Sequence, residues 1–399
     1  MLLGGVVDCH VQADLLERLS SKSRLTIKAG FDPTRPDLHL GHAVLLRKMR
    51  QFQDFGHEVV FVVGDFTAQI GDPSGRNQTR PVPTREEIET GARSYAEQAF
   101  KILDKDLTRI VYNNEWLGKL RFADVIRLAG KYTLARMMER DDFKTRWSEH
   151  NSIALHELLY PLAQAYDSVV LKCDVELGGT DQLFNLMVGR EIMREYGLPP
   201  QIVMTTPILE GINADVIGGA LVGQKMSKSL DNYIGLTEAP LEQFGKIMSI
   251  SDNLMWRYYD LISEHPAADI VELRLKSDTG ALNPRDAKLA LAHEVVSTLH
   301  DKEAASIAQA RWLDQFSKRQ VPTDMQEIAI VSETASIWVP KALVLAGLVA
   351  SSSDGKRRLE QGGIEVDGVR ISDPQAVLAK GGPYVVKAGK RTWARLIVK

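Results

Sequence analysis

The chain has 399 residues, 44% of them hydrophobic and 25% charged, with a net charge of -3. This composition predicts a globular core and about two to three domains, and it excludes a chain that is basic throughout. Two cysteines, Cys9 and Cys173, are too few for a disulfide framework or a cysteine-rich zinc site, and no signal-like or bilayer-spanning apolar run occurs, so we expect a cytoplasmic protein with no membrane span.

Strands alternate with helices in the first part of the chain. Short apolar runs predict strands at 25–29, 59–63, 109–112 and 202–209. Apolar spacing predicts a helix over 43–55, and a capping box of Thr84 and Glu87 begins another that runs to about residue 103. This alternation predicts an α/β fold, a Rossmann-like doubly wound parallel sheet that binds its ligands beyond the carboxyl ends of the strands.

The rest of the chain predicts further units. Residues 116–170 are mostly helical and predict a lobe inserted into a catalytic domain of residues 1–232. Residues 233–319 are amphipathic and predict a helical domain, and 320–335, which contain a proline, predict a linker. Residues 336–399 then predict a small final domain.

A first motif brackets a glycine with two histidines where the first predicted helix begins, in Pro33-Thr34-Arg35-Pro36-Asp37-Leu38-His39-Leu40-Gly41-His42. A helix N-terminus offers free N–H groups and a partial positive charge, which suit a polyphosphate, and imidazoles add directional donors. Gly41 lets a flat ring approach the backbone. By itself, the string is equally typical of two surface histidines beside a helix cap.

A second motif is Lys225-Met226-Ser227-Lys228-Ser229, which follows Gly218, Gly219 and Gly223. Two lysines three residues apart on a glycine-flanked segment predict a mobile cationic clamp for phosphates. By itself, the string is more typical of an ordinary surface loop.

Together the motifs resemble the HIGH and KMSKS signatures of the class I aminoacyl-tRNA synthetases, in the correct order and about 185 residues apart. Neither a P-loop nor a dinucleotide-binding glycine fingerprint occurs. The resemblance implies that an amino-acid carboxylate attacks the α-phosphate of ATP, with catalysis by positioning and charge stabilisation. Mg²⁺ would be bound by the ATP phosphates, and no protein-bound metal is expected. The residues implied in ATP binding and catalysis are Thr34, His39, Gly41, His42, Arg76, Arg80, Lys225 and Lys228.

Within class I, the segment Tyr160-Pro161-Leu162-Ala163-Gln164-Ala165-Tyr166-Asp167 resembles the bacterial tyrosyl branch. Tyr160, Gln164 and Asp167 share one helix face at i, i+4 and i+7, which alone is also typical of a tyrosine-rich core face. The resemblance implies that Tyr160 and Gln164 hold the α-amino end of tyrosine. Asp167 would accept the phenolic O–H and reject phenylalanine, which leaves that acceptor unpaired.

Other positions match the same branch, with one departure. Asp72 matches the aspartate near the substrate ammonium, and Asp32 an aspartate of the same cavity. Gly179, Asp181 and Gln182 match the segment along the adenylate ribose, with Asp181 on a ribose hydroxyl and Gln182 near the reacting carboxylate. Where another branch has a tyrosine that touches the phenol, this chain has Lys28. That lysine either pairs with a nearby carboxylate or faces away as a plain strand lysine.

The last 64 residues are basic. Residues 336–399 carry 11 Lys and Arg against 5 Asp and Glu, whereas the rest of the chain carries 38 against 47, which favours RNA contact through the tail. Asp367-Gly368 predicts a hairpin turn. The tail resembles the small α+β RNA-binding domain first seen in ribosomal protein S-four, which implies that Lys356, Arg357 and Arg358 face tRNA phosphates.

The resemblance covers nearly the whole chain. It implies an enzyme that makes tyrosyl-AMP and diphosphate, then transfers tyrosine to the 3′-terminal adenosine of tRNA(Tyr). The helical domain would contact the anticodon stem, and family members are typically homodimers joined through the inserted lobe. Two alternatives stay open: a tryptophanyl-tRNA synthetase, because Asp167 also suits an indole N–H, and a non-catalytic RNA-binding paralogue.

Overall fold

A computed structural model describes residues 2–22, 24–33, 37–74, 84–218, 220–317, 325, 327–332, 334–389 and 392–399. The chain divides into two compact units, Met1–Trp312 and Leu313–Lys399. The boundary between them falls inside the predicted helical domain, before the predicted linker. None of the helices in the described ranges has both the length and the apolar character needed to cross a bilayer.

A six-stranded sheet forms the centre of the first unit. Its strands are β1 (Asp8–His10), β2 (Thr26–Phe31), β3 (Glu58–Val63), β4 (Thr108–Tyr112), β5 (Val175–Gly179) and β6 (Ile202–Thr206). Their order is β1-β6-β5-β2-β3-β4, and only β1 runs antiparallel to its neighbour. The predicted α/β fold is thereby confirmed. The strand order reverses between β2 and β5, and ligands bind at such a reversal in open parallel sheets.

Helices surround this sheet and continue into a helical region. They are α1 (Gln12–Ser21), α2 (Leu40–Asp54), α3 (Thr67–Ile70), α4 (Arg85–Ala99), α5 (Asn114–Leu117), α6 (Phe122–Ala129), α7 (Leu134–Met137), α8 (Asp141–Ser148), α9 (Tyr160–Leu171), α10 (Leu183–Glu195), α11 (Pro240–Ser249), α12 (Asp252–Ile262), α13 (Ala267–Asp278), α14 (Pro284–Leu299) and α15 (Lys302–Ser317). A short hairpin of β7 (Asp215–Ile217) and β8 (Ala220–Val222) precedes the second motif.

Local sequence explains where the main elements begin and why they are buried. Residues 59–63 are at most 1% exposed, so β3 is covered on both faces and shows a continuous apolar run instead of alternation. The predicted capping box begins α4, since the Thr84 N–H donates to Glu87 at 2.7 Å and the Glu87 N–H to Thr84 at 3.3 Å. This helix ends at Ala99, earlier than predicted.

The second unit packs two helices against small sheets. Its elements are β9 (Glu327–Ile330), β10 (Ser336–Trp338), α16 (Val339–Leu345), α17 (Ser352–Glu360), β11 (Ile364–Val366), β12 (Val369–Ile371), β13 (Val377–Ala379), β14 (Gly381–Ala388) and β15 (Thr392–Val398). Asp367 and Gly368 form the predicted turn, with φ of 51° and 80°. Strand β9 lies within the predicted linker, which differs from our expectation because its pairing with β15 is not visible in local sequence.

Candidate active site

A cavity of about 350 Å³ lies beyond the carboxyl ends of β2, β3, β5 and β6, where the strand order reverses. Both motifs border it, although they are far apart in sequence. Thirteen residues singled out in the sequence line this cavity: Asp32, His39, Gly41, His42, Asp72, Tyr160, Gln164, Asp167, Gly179, Asp181, Gln182, Lys225 and Lys228. The remaining three residues predicted for the ATP site, Thr34, Arg76 and Arg80, lie outside the described residues.

The two histidines cap helix α2. His39 is the N-cap residue, and its Nδ1 accepts a hydrogen bond from the Gly41 N–H at 3.1 Å. Nδ1 of His42 accepts from the His39 N–H at 3.2 Å. A neutral imidazole that accepts at Nδ1 carries its proton on Nε2, so each ring keeps one N–H donor. A Cβ on Gly41 would lie 2.9 Å from the His39 ring, so glycine leaves room for this cap.

Both rings are neutral at neutral pH. Burial, reinforced by nearby cations, lowers the pKa of His42 to about 4 and that of His39 well below its usual range. A neutral imidazole whose Nδ1 accepts from the backbone still has its Nε2–H available to donate to a phosphate oxygen. The pair therefore supplies two fixed donors at the start of a helix.

The two lysines of the second motif are held at the same cavity by carboxylates. Lys225 Nζ lies 3.1 Å from Asp181 Oδ2, and Lys228 Nζ lies 2.6 Å from Asp37 Oδ2. Between them, Met226 is 4% exposed and its N–H donates to the Leu209 carbonyl at 2.9 Å. The buried methionine thus anchors the segment while both ammonium groups stay at the cavity edge.

Asp32 is a half-buried carboxyl that accepts a hydrogen bond from Tyr160. The Tyr160 hydroxyl donates to Asp32 Oδ2 at 3.0 Å, and the Thr67 hydroxyl donates to Oδ1 at 2.8 Å. Burial raises the pKa of Asp32 to about 7. A Cβ on Gly64 would lie 2.0 Å from Asp32 Oδ1, so only glycine leaves space for this carboxyl at the end of β3.

Asp167 is the deepest carboxyl of the cavity and has two donors that the sequence analysis missed. The Trp116 indole N–H donates to Oδ1 at 2.8 Å, and the Asn113 amide donates to Oδ2 at 3.3 Å. Burial raises the pKa of Asp167 to about 6, while Lys28 and these two hydrogen bonds oppose the rise. An indole can only donate, so Trp116 favours the ionised carboxylate, which is the form that accepts a phenolic O–H.

Asp72 belongs to a third polar network. Gln182 Nε2 donates to Asp72 Oδ2 at 2.8 Å, and the Ser74 hydroxyl donates to Oδ1 at 2.6 Å. Arg140, which lies in the segment predicted to form an inserted lobe and is 5% exposed, donates to Ser74 at 2.6 Å and to Asn185 at 2.9 Å. One buried guanidinium thus holds both the Asp72 turn and the helix that follows Gln182.

Lys28 is completely buried behind the cavity wall. Its Nζ lies 3.0 Å from Glu176 Oε1, and neither residue lines the cavity. Of the two interpretations of Lys28, pairing with a carboxylate is confirmed.

The residues that sequence reasoning missed differ in how visible they were. Asn113 and Gly64 directly follow β4 and β3, so the rule that ligands bind beyond strand ends could have found them. Trp116 lies one helical turn past Asn113. For Arg140 we find no local signal in the sequence.

The basic residues of the tail lie on α17 in the second unit. Lys356 and Arg357 are exposed and Arg358 is half-buried. Arg357 and Arg358 pair with Asp354 at 2.6 and 3.0 Å. Ser351 caps this helix by accepting from the Asp354 N–H at 3.2 Å.

Comparison with known sequences identifies similar proteins over almost the full length. A family model described as tRNA synthetases class I (W and Y) matches residues 20–317. The tyrosine–tRNA ligase of Coxiella burnetii is 49% identical over 394 residues, 99% of this chain and 96% of that protein. The tyrosine–tRNA ligase of Thermotoga maritima is 49% identical over 396 residues, again 99% and 96%.

Solved structures share the fold. A C-terminally truncated mitochondrial tyrosyl-tRNA synthetase of Aspergillus nidulans is similar with a TM-score of 0.64 at 25% identity, over 79% of this chain and 93% of that one. The tryptophanyl-tRNA synthetase of Plasmodium falciparum has a TM-score of 0.56 at 18% identity, over 74% and 80%. Enzymes for tyrosine and enzymes for tryptophan both occur among these similar folds. The fold alone therefore does not distinguish the two amino acids, whereas the near-full-length sequence relatives do.

Proposed function

Because this chain belongs to the class I tRNA synthetases for tryptophan and tyrosine and is a tyrosine–tRNA ligase, we propose how its cavity binds ATP and tyrosine. The observation that carries the proposal is a separation of charge around the cavity. His39 and His42 lie near Lys225 and Lys228, whereas the electrostatic neighbours of Tyr160 are carboxyls. The cationic group suits triphosphate, and the acidic group suits the ammonium and phenol of tyrosine.

At the cationic group, the Nε2–H donors of His39 and His42 bind phosphate oxygens of ATP. Lys225 and Lys228 exchange their carboxylate partners for phosphates and neutralise the charge that builds up on the leaving pyrophosphate. The tyrosine carboxylate then attacks the α-phosphate in line, with no covalent enzyme intermediate and no protein base required. Thr34, Arg76 and Arg80 stay predicted phosphate contacts.

Magnesium enters this proposal with the nucleotide. Among the residues that the structure describes, no group of three His, Cys, Asp or Glu side chains could hold a metal ion. Mg²⁺ is proposed to arrive on the ATP phosphates, where it would neutralise phosphate charge.

At the acidic group, Asp167 accepts the phenolic O–H, while Asp72, Tyr160 and Gln164 surround the ammonium. Asp32 acts through Tyr160, because it accepts a hydrogen bond from the Tyr160 hydroxyl. Phenylalanine would leave the desolvated Asp167 carboxylate without its donor, which costs free energy.

The ribose and the reacting carboxylate lie between these groups in the proposal. Gly179 and Asp181 end β5 and begin the next turn, so the backbone can lie along the ribose while Asp181 bonds a hydroxyl. Asp181 must then release Lys225, which links nucleotide binding to movement of the second motif. Gln182 reaches from Asp72 toward the reacting carboxylate.

The test is amino-acid-dependent ATP–pyrophosphate exchange, measured with tyrosine, tryptophan and phenylalanine side by side. Exchange should require tyrosine. Asp167→Asn should lower kcat/KM for tyrosine about tenfold or more, because a hydrogen bond to a charged group is lost. Equal exchange with tryptophan, or an unchanged kcat/KM in the variant, would contradict the assignment of Asp167.

The second unit is proposed to bind tRNA as an S-four-type domain. Lys356 and Arg357 present charge on the exposed side of α17, and each neutralised phosphate makes affinity depend on salt. Replacing Lys356, Arg357 and Arg358 with alanine should raise KM for tRNA(Tyr) at least about tenfold. Pyrophosphate exchange should be unchanged, which separates this domain from the cavity, and an unchanged tRNA KM would contradict the proposal.

The enzyme is proposed to be a cytoplasmic homodimer joined through the inserted lobe. Five large apolar side chains of that lobe are between 57% and 83% exposed: Phe122, Ile126, Leu134, Trp147 and Leu155. Exposed apolar side chains concentrated in one region mark interaction surfaces. Leu155→Asp should yield monomers in analytical ultracentrifugation, whereas Val271→Asp, on the helical region and 66% exposed, should not. A monomeric parent chain would contradict the proposal.

A further inference from the structure

A buried ion pair lies directly behind the tyrosine-binding face of α9. Lys28 on β2 is 0% exposed and Glu176 on β5 is 1% exposed, with Nζ and Oε1 3.0 Å apart. Burying two charges is costly, and such pairs persist when each group is fully hydrogen-bonded. The surroundings of this pair meet that condition.

Every donor and acceptor of the pair is used. Lys28 Nζ donates to the main-chain carbonyl of Gln164 at 3.0 Å, to the Ser168 hydroxyl at 2.8 Å and to Glu176. Glu176 Oε1 also accepts from Gln164 Nε2 at 3.2 Å. Its Oε2 accepts from Ser168 and from Gln201, both at 2.8 Å. An ammonium group has three donors and a carboxylate about four acceptor sites, so the network is complete.

This network fixes the orientation of the Gln164 side-chain amide. A carboxylate only accepts hydrogen bonds, so the amide nitrogen must face Glu176. The carbonyl oxygen is then the part of the amide left for the cavity that Gln164 lines. An amino-acid ammonium group only donates, so an acceptor is the atom it requires at this position.

We propose that Lys28 and Glu176 are positioning residues that hold Gln164 with its carbonyl oxygen toward the α-ammonium of tyrosine. This inference rests on the proposed role of Gln164. Lys28 matters because its ammonium group contacts both Glu176 Oε1 and the main-chain carbonyl of Gln164, so without it the carboxylate is no longer held where it accepts from the Gln164 amide. Loss of either member of the pair should therefore weaken recognition of the ammonium group.

The test compares tyrosine with 3-(4-hydroxyphenyl)propionate, which keeps the phenol and carboxylate but lacks the ammonium group. In Glu176→Met, which leaves the Gln164 amide nitrogen without an acceptor, the KM for tyrosine in pyrophosphate exchange should rise about tenfold or more, the scale of one hydrogen bond to a charged group. The inhibition constant of the analogue should stay within about twofold, since it makes no such bond. Lys28→Met should behave in the same way.

Two further variants separate positioning from general damage. Lys28→Met combined with Glu176→Met removes both charges, so it leaves no unpaired ion that could prevent folding, and it should show the same selective rise in the KM for tyrosine. Lys48→Met removes another buried lysine, which donates to the Leu2 and Gly4 carbonyls away from the cavity. That variant should change neither the KM for tyrosine nor the inhibition constant of the analogue.

Measurements in the Gln164→Ala background distinguish a failure of this inference from a failure of the proposed role of Gln164. In that background Glu176→Met should raise the KM for tyrosine by less than about a further twofold, because the amide that Glu176 orients is gone. If Gln164→Ala itself changes neither the KM for tyrosine nor the inhibition constant of the analogue, the proposed role of Gln164 fails and the inference with it. If Gln164→Ala weakens tyrosine binding selectively but Glu176→Met and the double variant weaken both ligands equally or neither, the positioning role alone is overturned.

Discussion

Replacing Trp116 with phenylalanine should shift the pH dependence of tyrosine binding. In the structure, the indole N–H donates to the Asp167 carboxylate at 2.8 Å, and the pKa of Asp167 is raised by burial to about 6. The acceptor form for the phenol exists above that pKa and is lost as pH falls through it. Because the indole bond favours the ionised form, its removal should make Asp167 bind a proton at higher pH.

The magnitude follows from the energy of one hydrogen bond to a charged group. A loss of about 1.5 to 3 kcal/mol corresponds to a rise of roughly one to two pH units in the midpoint of the tyrosine KM profile. At pH 6.5 the ionised fraction would fall from about three quarters to a quarter or less, so KM should rise roughly three- to twentyfold. At pH 9 both proteins are ionised, and the two KM values should agree within about 1.5-fold.

The assay is pyrophosphate exchange from pH 5.5 to 9, with Trp338→Phe as the matched control because the Trp338 indole N–H donates to the Pro374 carbonyl in the second unit. Burial raises the pKa of Asp32 to about 7, and neither substitution touches its partners Tyr160 and Thr67, so the ratio of variant to parent KM reports the effect of the indole bond. A ratio that does not change with pH would mean that the indole acts only by packing. A ratio of one throughout would refute the coupling altogether.

Two other predictions concern the cavity wall and the phosphate group. His42→Ala or Lys228→Ala should each slow single-turnover formation of tyrosyl-adenylate by about a hundredfold or more while leaving the tyrosine Kd within about twofold. Unchanged rates in both variants would remove these residues from the mechanism. Gly64→Ala should displace Asp32, since the new Cβ would lie 2.0 Å from its Oδ1, and should destabilise the chain by about 1 to 3 kcal/mol in denaturant unfolding. Gly245→Ala meets nothing within 4 Å on α11 and should be neutral or stabilising, so equal unfolding free energies for the two glycine variants would count against this packing argument.

The sequence by itself determined the features that depend on neighbouring residues. Apolar periodicity located β2, β3 and α2, and the Thr84–Glu87 pair located the start of α4, because propensity and capping act within a few residues. The two phosphate motifs were equally visible, since each is a short string whose chemistry resides in its own side chains.

Tertiary structure alone decided the contacts between residues far apart. Trp116 reaches Asp167 across 51 positions, and Lys28 meets Glu176 only because β5 packs beside β2. β9 adds to the sheet of the second unit only by pairing with β15. The protonated nitrogen of each histidine likewise depends on backbone N–H groups aligned once α2 has formed. No local pattern encodes these outcomes, because each depends on which surfaces come together when the chain packs.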